Sequence, residues 1–140
     1  MTLYAETSAV LRCLLGEPGA EAVWARLRAA DRVVSSHLTI MECERALVRV
    51  ATAIPLPVRG RAAVRARLAE VASIWTLVEI DAAIRARAGQ PFPVEPLRTL
   101  DAIHLATVLA LLPTVGTLEV LSVDARIVAN ARALGIGVLP

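Results

Sequence analysis

The chain has 140 residues, 56% of them apolar and 3% aromatic, with a formal charge of +2. Its length predicts one domain, and its apolar content and positive mean hydropathy exclude a disordered tail. A pI near 8.9 is too mild to announce nucleic-acid binding, and no apolar run reaches the ~20 residues of a membrane span.

With so few aromatics, the core must be built from Ala, Leu, Val and Ile, which suits helices packed on a small sheet. All 15 basic residues are arginine. Arginine forks bind phosphate bidentately, but a genome rich in G and C encodes the same bias, and that explanation takes the larger share. Cys13 and Cys43 lack the CxxC spacing of a zinc site and read as buried thiols in a reducing compartment. The start, Met1–Glu6, has no basic region and meets an acid too early for a signal peptide, so a cytoplasmic location is expected.

In chain order, Thr2–Ala5 predicts a short buried strand, and Thr7 or Ser8 caps a helix to about Leu15. Gly16–Gly19 punctuates, with Pro18 leading into a helix over about 21–30 whose apolar side carries Val23, Trp24 and Leu27. Arg32–Ser35 predicts a second strand, followed by a helix with Ile40, Cys43, Leu47 and Val50 on one side. Pro55 and Pro57 break the chain. Val58–Trp75 predicts a long amphipathic helix with the stripe Val64, Leu68, Val71, Trp75. A third, edge strand is expected over Thr76–Glu79 and a short helix over Asp81–Ala88. Thr99 caps a helix to about Leu112 that is apolar on nearly every side, hence the most buried. Leu118–Val123 predicts a fourth strand, Asp124–Leu134 a helix closed by Gly135, and Gly137–Leu139 a final strand. Short β-branched strands alternating with helices predict a three-layer α/β/α fold, with a parallel sheet of four or five strands and about seven helices.

Four carboxylates fall where strands hand over to helices. Glu6 ends the first strand, Glu42 lies in the first turns of the helix after the second, Asp101 opens the apolar helix, and Asp124 ends the fourth strand. A helix joining parallel strands runs antiparallel to them and starts at their C-terminal edge. All four acids therefore face that edge, where open α/β sheets place their ligands. Acids so gathered raise one another's pKa unless a divalent cation intervenes. Hard oxygen ligands favour Mg²⁺ or Mn²⁺ over zinc, and a metal-activated water can then attack a phosphodiester. Thr7 and Ser8 are placed to hydrogen-bond a ligating carboxylate, a metal water or a phosphate. Arg98 and Arg126 lie nearest this pocket and are the phosphate candidates.

Each acid also has an ordinary use. On that alternative reading Glu6 would be a solvated acid after a strand, Glu42 would pair with Arg45 at i+3, Asp101 would stabilise a helix dipole, and Asp124 would be an N-cap. His104, one turn after Asp101, reads as a satisfied, partly buried histidine rather than a general base. His37 is assigned no role. Glu44 and Glu95 read as solvated, and Arg59, Arg61, Arg65 and Arg67 as a solvated helix face. Trp24 and Trp75 read as core or interface anchors.

Leu3-Tyr4-Ala5-Glu6-Thr7-Ser8-Ala9, Ser36–Glu42, Leu97–Ala106 and Val120–Arg126 followed by Ala133–Ile136 stand in the order of four segments that each carry an acid. In this ordered set, which spans nearly the whole chain, the sequence resembles the PIN-domain family, and within it the VapC-type toxins of type II toxin–antitoxin systems. The resemblance implies a parallel sheet and a Mg²⁺- or Mn²⁺-dependent endoribonuclease, with Glu6, Glu42, Asp101 and Asp124 as catalytic and metal-holding residues. It also implies a homodimer, an RNA substrate and a VapB-type antitoxin whose C-terminal segment covers the acidic pocket. The family's first acid is Asp, whereas this chain has Glu6. The extra methylene moves the carboxylate by about one C–C bond, and misplacement on the order of 1 Å can cost ~10²-fold in rate. The alternative expectation is therefore a catalytically weakened PIN-like protein that binds antitoxin and RNA without efficient cleavage. A Rossmann-like ligand module ranks last, since the chain has no GxGxxG or Walker A run.

Overall fold

The computed structural model describes residues 1–53 and 58–139, with a parallel sheet at the centre and helices on both faces. Pro55 and Pro57 lie outside the described residues. The order is β1 (Thr2–Ala5), α1 (Thr7–Leu15), α2 (Ala20–Ala29), β2 (Arg32–Ser36), α3 (His37–Ala53), α4 (Val58–Ala72), β3 (Thr76–Val78), α5 (Ala82–Ala88), α6 (Thr99–Val115), β4 (Leu118–Leu121), α7 (Ala125–Ala133) and β5 (Gly137–Leu139). The five strands pair in the order β3-β2-β1-β4-β5, every pair parallel. The chain first lays β2 and β3 to one side of β1, then returns to build β4 and β5 on the other. The reversal opens a crevice between β1 and β4 at the C-terminal edge, the place where such sheets bind ligands.

Strand alternation divides the core between the two faces. Leu3 and Ala5 of β1 pack with Ala9, Val10, Val23, Cys43 and Leu68 beneath α1 to α4. Tyr4, between them in sequence, points the other way and packs with Leu105, Val108, Val120 and Ile127 beneath α5 to α7. Leu105 and Ala106 of α6 are fully enclosed, as its composition predicted, though Leu100 at its start is 44% exposed. Burial pushes both thiols up, Cys13 to about 11 and Cys43 to about 12, which suits inert core positions. Trp24 and Trp75 are partly buried against the first of these clusters.

Several boundaries differ from the expectation for local reasons. The cap of α1 is Glu6, not Thr7 or Ser8: its carboxylate accepts the Ser8 amide, while the two hydroxyls are used elsewhere. Arg98, without a side-chain bond, occupies the cap of α6 in place of Thr99. This helix runs through Pro113 to Val115, because a proline in the last turn forfeits only one amide bond. Helix α4 stops at Ala72 rather than Trp75, where the Ser73 hydroxyl takes the Glu70 carbonyl at 2.7 Å and turns the chain. Strand β4 ends at Leu121 rather than Val123, since the Val123 amide bonds the Ser8 hydroxyl at 3.0 Å instead of a neighbouring strand. No helix among the described residues is long and apolar enough to cross a membrane.

Candidate active site

Glu6, Glu42, Asp101 and Asp124 line one cavity of about 570 Å³ at the C-terminal edge of the sheet. Glu6 and Asp124 flank the crevice between β1 and β4. Helix α3 leaves β2 without a loop, so Glu42 stands about one and a half turns above the sheet edge. Asp101 sits in the first turn of α6, which descends from the same edge. Thr7, Ser8 and Arg98 line the cavity with them, as do Arg45 and Arg49 of α3. Arg126 is exposed and stands outside the lining, yet its charge reaches Asp101.

Glu6 is not a solvated acid, for it is only 5% exposed. A buried carboxylate needs donors, and the loop ends of two strands supply them. Glu6 Oε2 accepts from the Ser8 amide at 3.1 Å, the Ser8 hydroxyl at 2.5 Å and the Ser122 hydroxyl at 2.7 Å. The Ser8 oxygen in turn accepts the amides of Val123 and Asp124, which ties β4's exit to α1.

Glu42 is clamped from the opposite side. Its Oε2 lies 2.5 Å from the Thr7 hydroxyl and 2.7 Å from His104 Nε2. Burial pushes this carboxyl up, but the bonds from His104 and Thr7, with the charge of Arg49, outweigh it and leave Glu42 below the usual carboxylate range. His104 is fully rather than partly buried, at 1% exposure, and its Nδ1 meets the Tyr4 hydroxyl at 2.8 Å.

Asp101 has the contrary environment. Its Oδ2 is buried without a hydrogen-bond partner. Burial, then the neighbouring charge of Asp124, raises its carboxyl above the ordinary value, against the pull of Arg98 and Arg126. Asp124 caps α7, its Oδ1 accepting the Arg126 amide at 2.8 Å and the Ile127 amide at 3.4 Å. The capping and ligand roles expected of it are compatible.

Among the described residues no three His, Cys, Asp or Glu side chains are already gathered as a metal cluster. The donor set nonetheless suits an oxygen-seeking divalent cation. Asp101 presents a buried oxygen with nothing to bond, beside a second aspartate, and a cation would remove the repulsion that raises it. Glu6 fits least well, since its Oε2 already carries three donors.

Other candidates stand apart. His37 opens α3 at the surface and pairs with Glu79 at 3.3 Å. Glu95 is exposed, yet its carboxylate accepts the amides of Phe92 and Leu97 and folds the loop before α6. Sequence reasoning missed Ser122, Tyr4 and Asn130. Ser122 sits two residues before Asp124, a spacing that could have marked it. Asn130, fully buried, exchanges two 2.9 Å bonds with the Val94 backbone, and nothing in the linear sequence signals that pairing. Arg45 was noticed only as a partner for Glu42.

Residues 3–112 match the family model described as PIN domain, a span that contains Glu6, Glu42 and Asp101. The chain is 34% identical over 137 residues to a Mycobacterium tuberculosis protein named ribonuclease VapC46, covering 98% of this chain and 95% of that one. The solved structure of FitAcB from Neisseria gonorrhoeae shares the fold with a TM-score of 0.73 at 18% identity, over 99% of this chain and 96% of that one. The VapBC2 structure from Rickettsia felis, bound to a DNA fragment from their promoter, aligns with a TM-score of 0.66 at 7% identity, over 99% and 98% of the two chains.

Proposed function

This chain belongs to the PIN-domain family, and we propose that it is a Mg²⁺- or Mn²⁺-dependent endoribonuclease, the toxin of a toxin–antitoxin pair. The observation that carries this reading is the unpartnered, buried Asp101 Oδ2 in a cavity shared with three further acids and edged by arginines. The relative named ribonuclease VapC46 supports the reaction class.

Asp101, Asp124 and Glu42 would hold the cation, with Glu6 beside them. When bound, such an ion stabilises phosphoryl charge and activates water at neutral pH. Arg45 and Arg98 draw RNA phosphates to the cavity mouth and offset the negative field of the acids. Thr7 fixes Glu42, and the Ser8 and Ser122 hydroxyls hold the buried Glu6 carboxylate in place. Met41 and Leu100, 50% and 44% exposed, give the mouth apolar edges on which a base can pack. Attack by water leaves a 5′-phosphate and a 3′-hydroxyl. Analysis of the product ends tests this: a 2′,3′-cyclic phosphate would show that the ribose hydroxyl is the nucleophile and would overturn the mechanism.

An antitoxin is the expected partner, supported by the VapBC2 neighbour. A homodimer and a cytoplasmic location complete the reading. One observation favours the second possibility, a binder with weakened catalysis: Glu6 Oε2 is taken up by serine donors and not turned wholly to the cavity. That reading predicts an inert native chain and a gain of cleavage in Glu6→Asp.

A further inference from the structure

We propose that Tyr4 and His104 form a buried relay that positions the Glu42 carboxylate, so that both are positioning residues of the cavity. The inference rests on the nuclease reading for its purpose and on hydrogen-bond geometry for its form. His104 uses both ring nitrogens although it is 1% exposed: Nδ1 lies 2.8 Å from the Tyr4 hydroxyl, and Nε2 lies 2.7 Å from Glu42 Oε2 and 3.1 Å from the Thr7 hydroxyl.

The chemistry of the partners fixes the direction of each bond. An ionised carboxylate only accepts, so Nε2 must carry a hydrogen. In the neutral ring Nδ1 is then an acceptor, and the Tyr4 O–H donates to it. Tyr4 is itself fully enclosed, with its ring edge-on to His104 at 6.0 Å between centroids. A hydrogen-bond chain therefore runs from β1 through α6 to α3, ending on a glutamate that α3 alone leaves with free rotamers.

Thr7 and His104 meet the same oxygen of Glu42, so the carboxylate cannot swing without breaking two bonds. The imidazole also lies 4.0 Å from Glu6 Oε1. One ring thereby touches two acids carried by different elements. Partners that orient a metal-holding side chain are typically worth about 10–100-fold in metal affinity. Packing alone would not need the ring nitrogens, and a leucine of similar bulk would serve.

The first test uses the metal-free full chain with ¹⁵N-labelled histidine. Nitrogen NMR should find His104 as the Nε2–H tautomer, and Tyr4→Phe should shift the Nδ1 resonance; an Nδ1–H tautomer, or a resonance indifferent to Tyr4→Phe, overturns the relay. The second test is Mn²⁺ affinity by electron paramagnetic resonance. His104→Leu should weaken binding about tenfold or more, and His104→Gln, whose amide can replace Nε2–H, should restore most of it. Equal affinity in His104→Leu and wild type, or no recovery in His104→Gln, would reduce His104 to packing. Should His104→Leu not fold, Tyr4→Phe repeats the affinity test with the loss of one oxygen, and an unchanged affinity counts against the relay. A wild type that binds no Mn²⁺ removes the nuclease reading, and the nitrogen spectra then decide the relay alone.

Discussion

The Ser122 hydroxyl donates to Glu6 Oε2 at 2.7 Å, joining the exits of β4 and β1 across the crevice. A hydrogen bond to a buried charge is worth about 1.5–3 kcal/mol. Ser122→Ala is therefore expected to lower stability by about 2 kcal/mol in urea unfolding. Ser8→Ala should cost more, because the Ser8 oxygen also accepts the amides of Val123 and Asp124. Equal stability of Ser122→Ala and wild type would show that Glu6 does not depend on this cradle.

Asp101 predicts a trade between stability and binding. Its folded pKa is raised by burial and by Asp124, so the folded chain retains a proton that the unfolded chain gives up. The stability from this group is present below the ordinary value of about 3.9 and is lost as pH rises through the folded value. At neutral pH the charge therefore weighs against the metal-free fold, within about 1 kcal/mol because the site is partly solvated. Asp101→Asn should raise the metal-free Tm by about 2–4 °C. Mn²⁺ should raise the Tm of wild type and leave that of the variant nearly unmoved. Glu42 has the opposite sign: its lowered value gives stability that is present above the usual glutamate range and lost as pH falls through the folded value.

Arg45 and Arg98 should act on RNA affinity. Each phosphate contact to a single strand contributes about 0.7 to the slope of log affinity against log salt. Arg98→Ala or Arg45→Ala should raise KM and flatten the salt dependence of kcat/KM by about that amount. A slope unchanged in both variants would place the RNA elsewhere.

Asn130 should govern the loop that precedes Asp101. Removing its amide leaves the Val94 N–H and C=O without partners, so Asn130→Ala is expected to cost about 1–3 kcal/mol. Hydrogen exchange at the Val94 amide should quicken in the variant, and unchanged protection would contradict the assignment.

The fold was legible because its signals are local. Alternating short strands and amphipathic helices gave the parallel sheet, and topology then carried Glu6, Glu42, Asp101 and Asp124 to one edge without any knowledge of side-chain contacts. What stayed hidden depends on pairs far apart in sequence. Ser122 is 116 positions from Glu6, and Tyr4 is 100 from His104. Hydroxyls and ring nitrogens carry no periodicity that would reveal such a meeting. The cap of α1 was misassigned for a related reason. Thr7 and Ser8 are good capping residues by type, but the burial of two acids claims their hydroxyls first.

The most direct test is cleavage of RNA by the purified chain with added Mg²⁺ or Mn²⁺, repeated with chelator and with Asp101→Ala. The predicted result is metal-dependent cleavage that chelator abolishes and that Asp101→Ala lowers by about 10²-fold or more. Cleavage that persists unchanged under both treatments would contradict a nuclease built on these four acids.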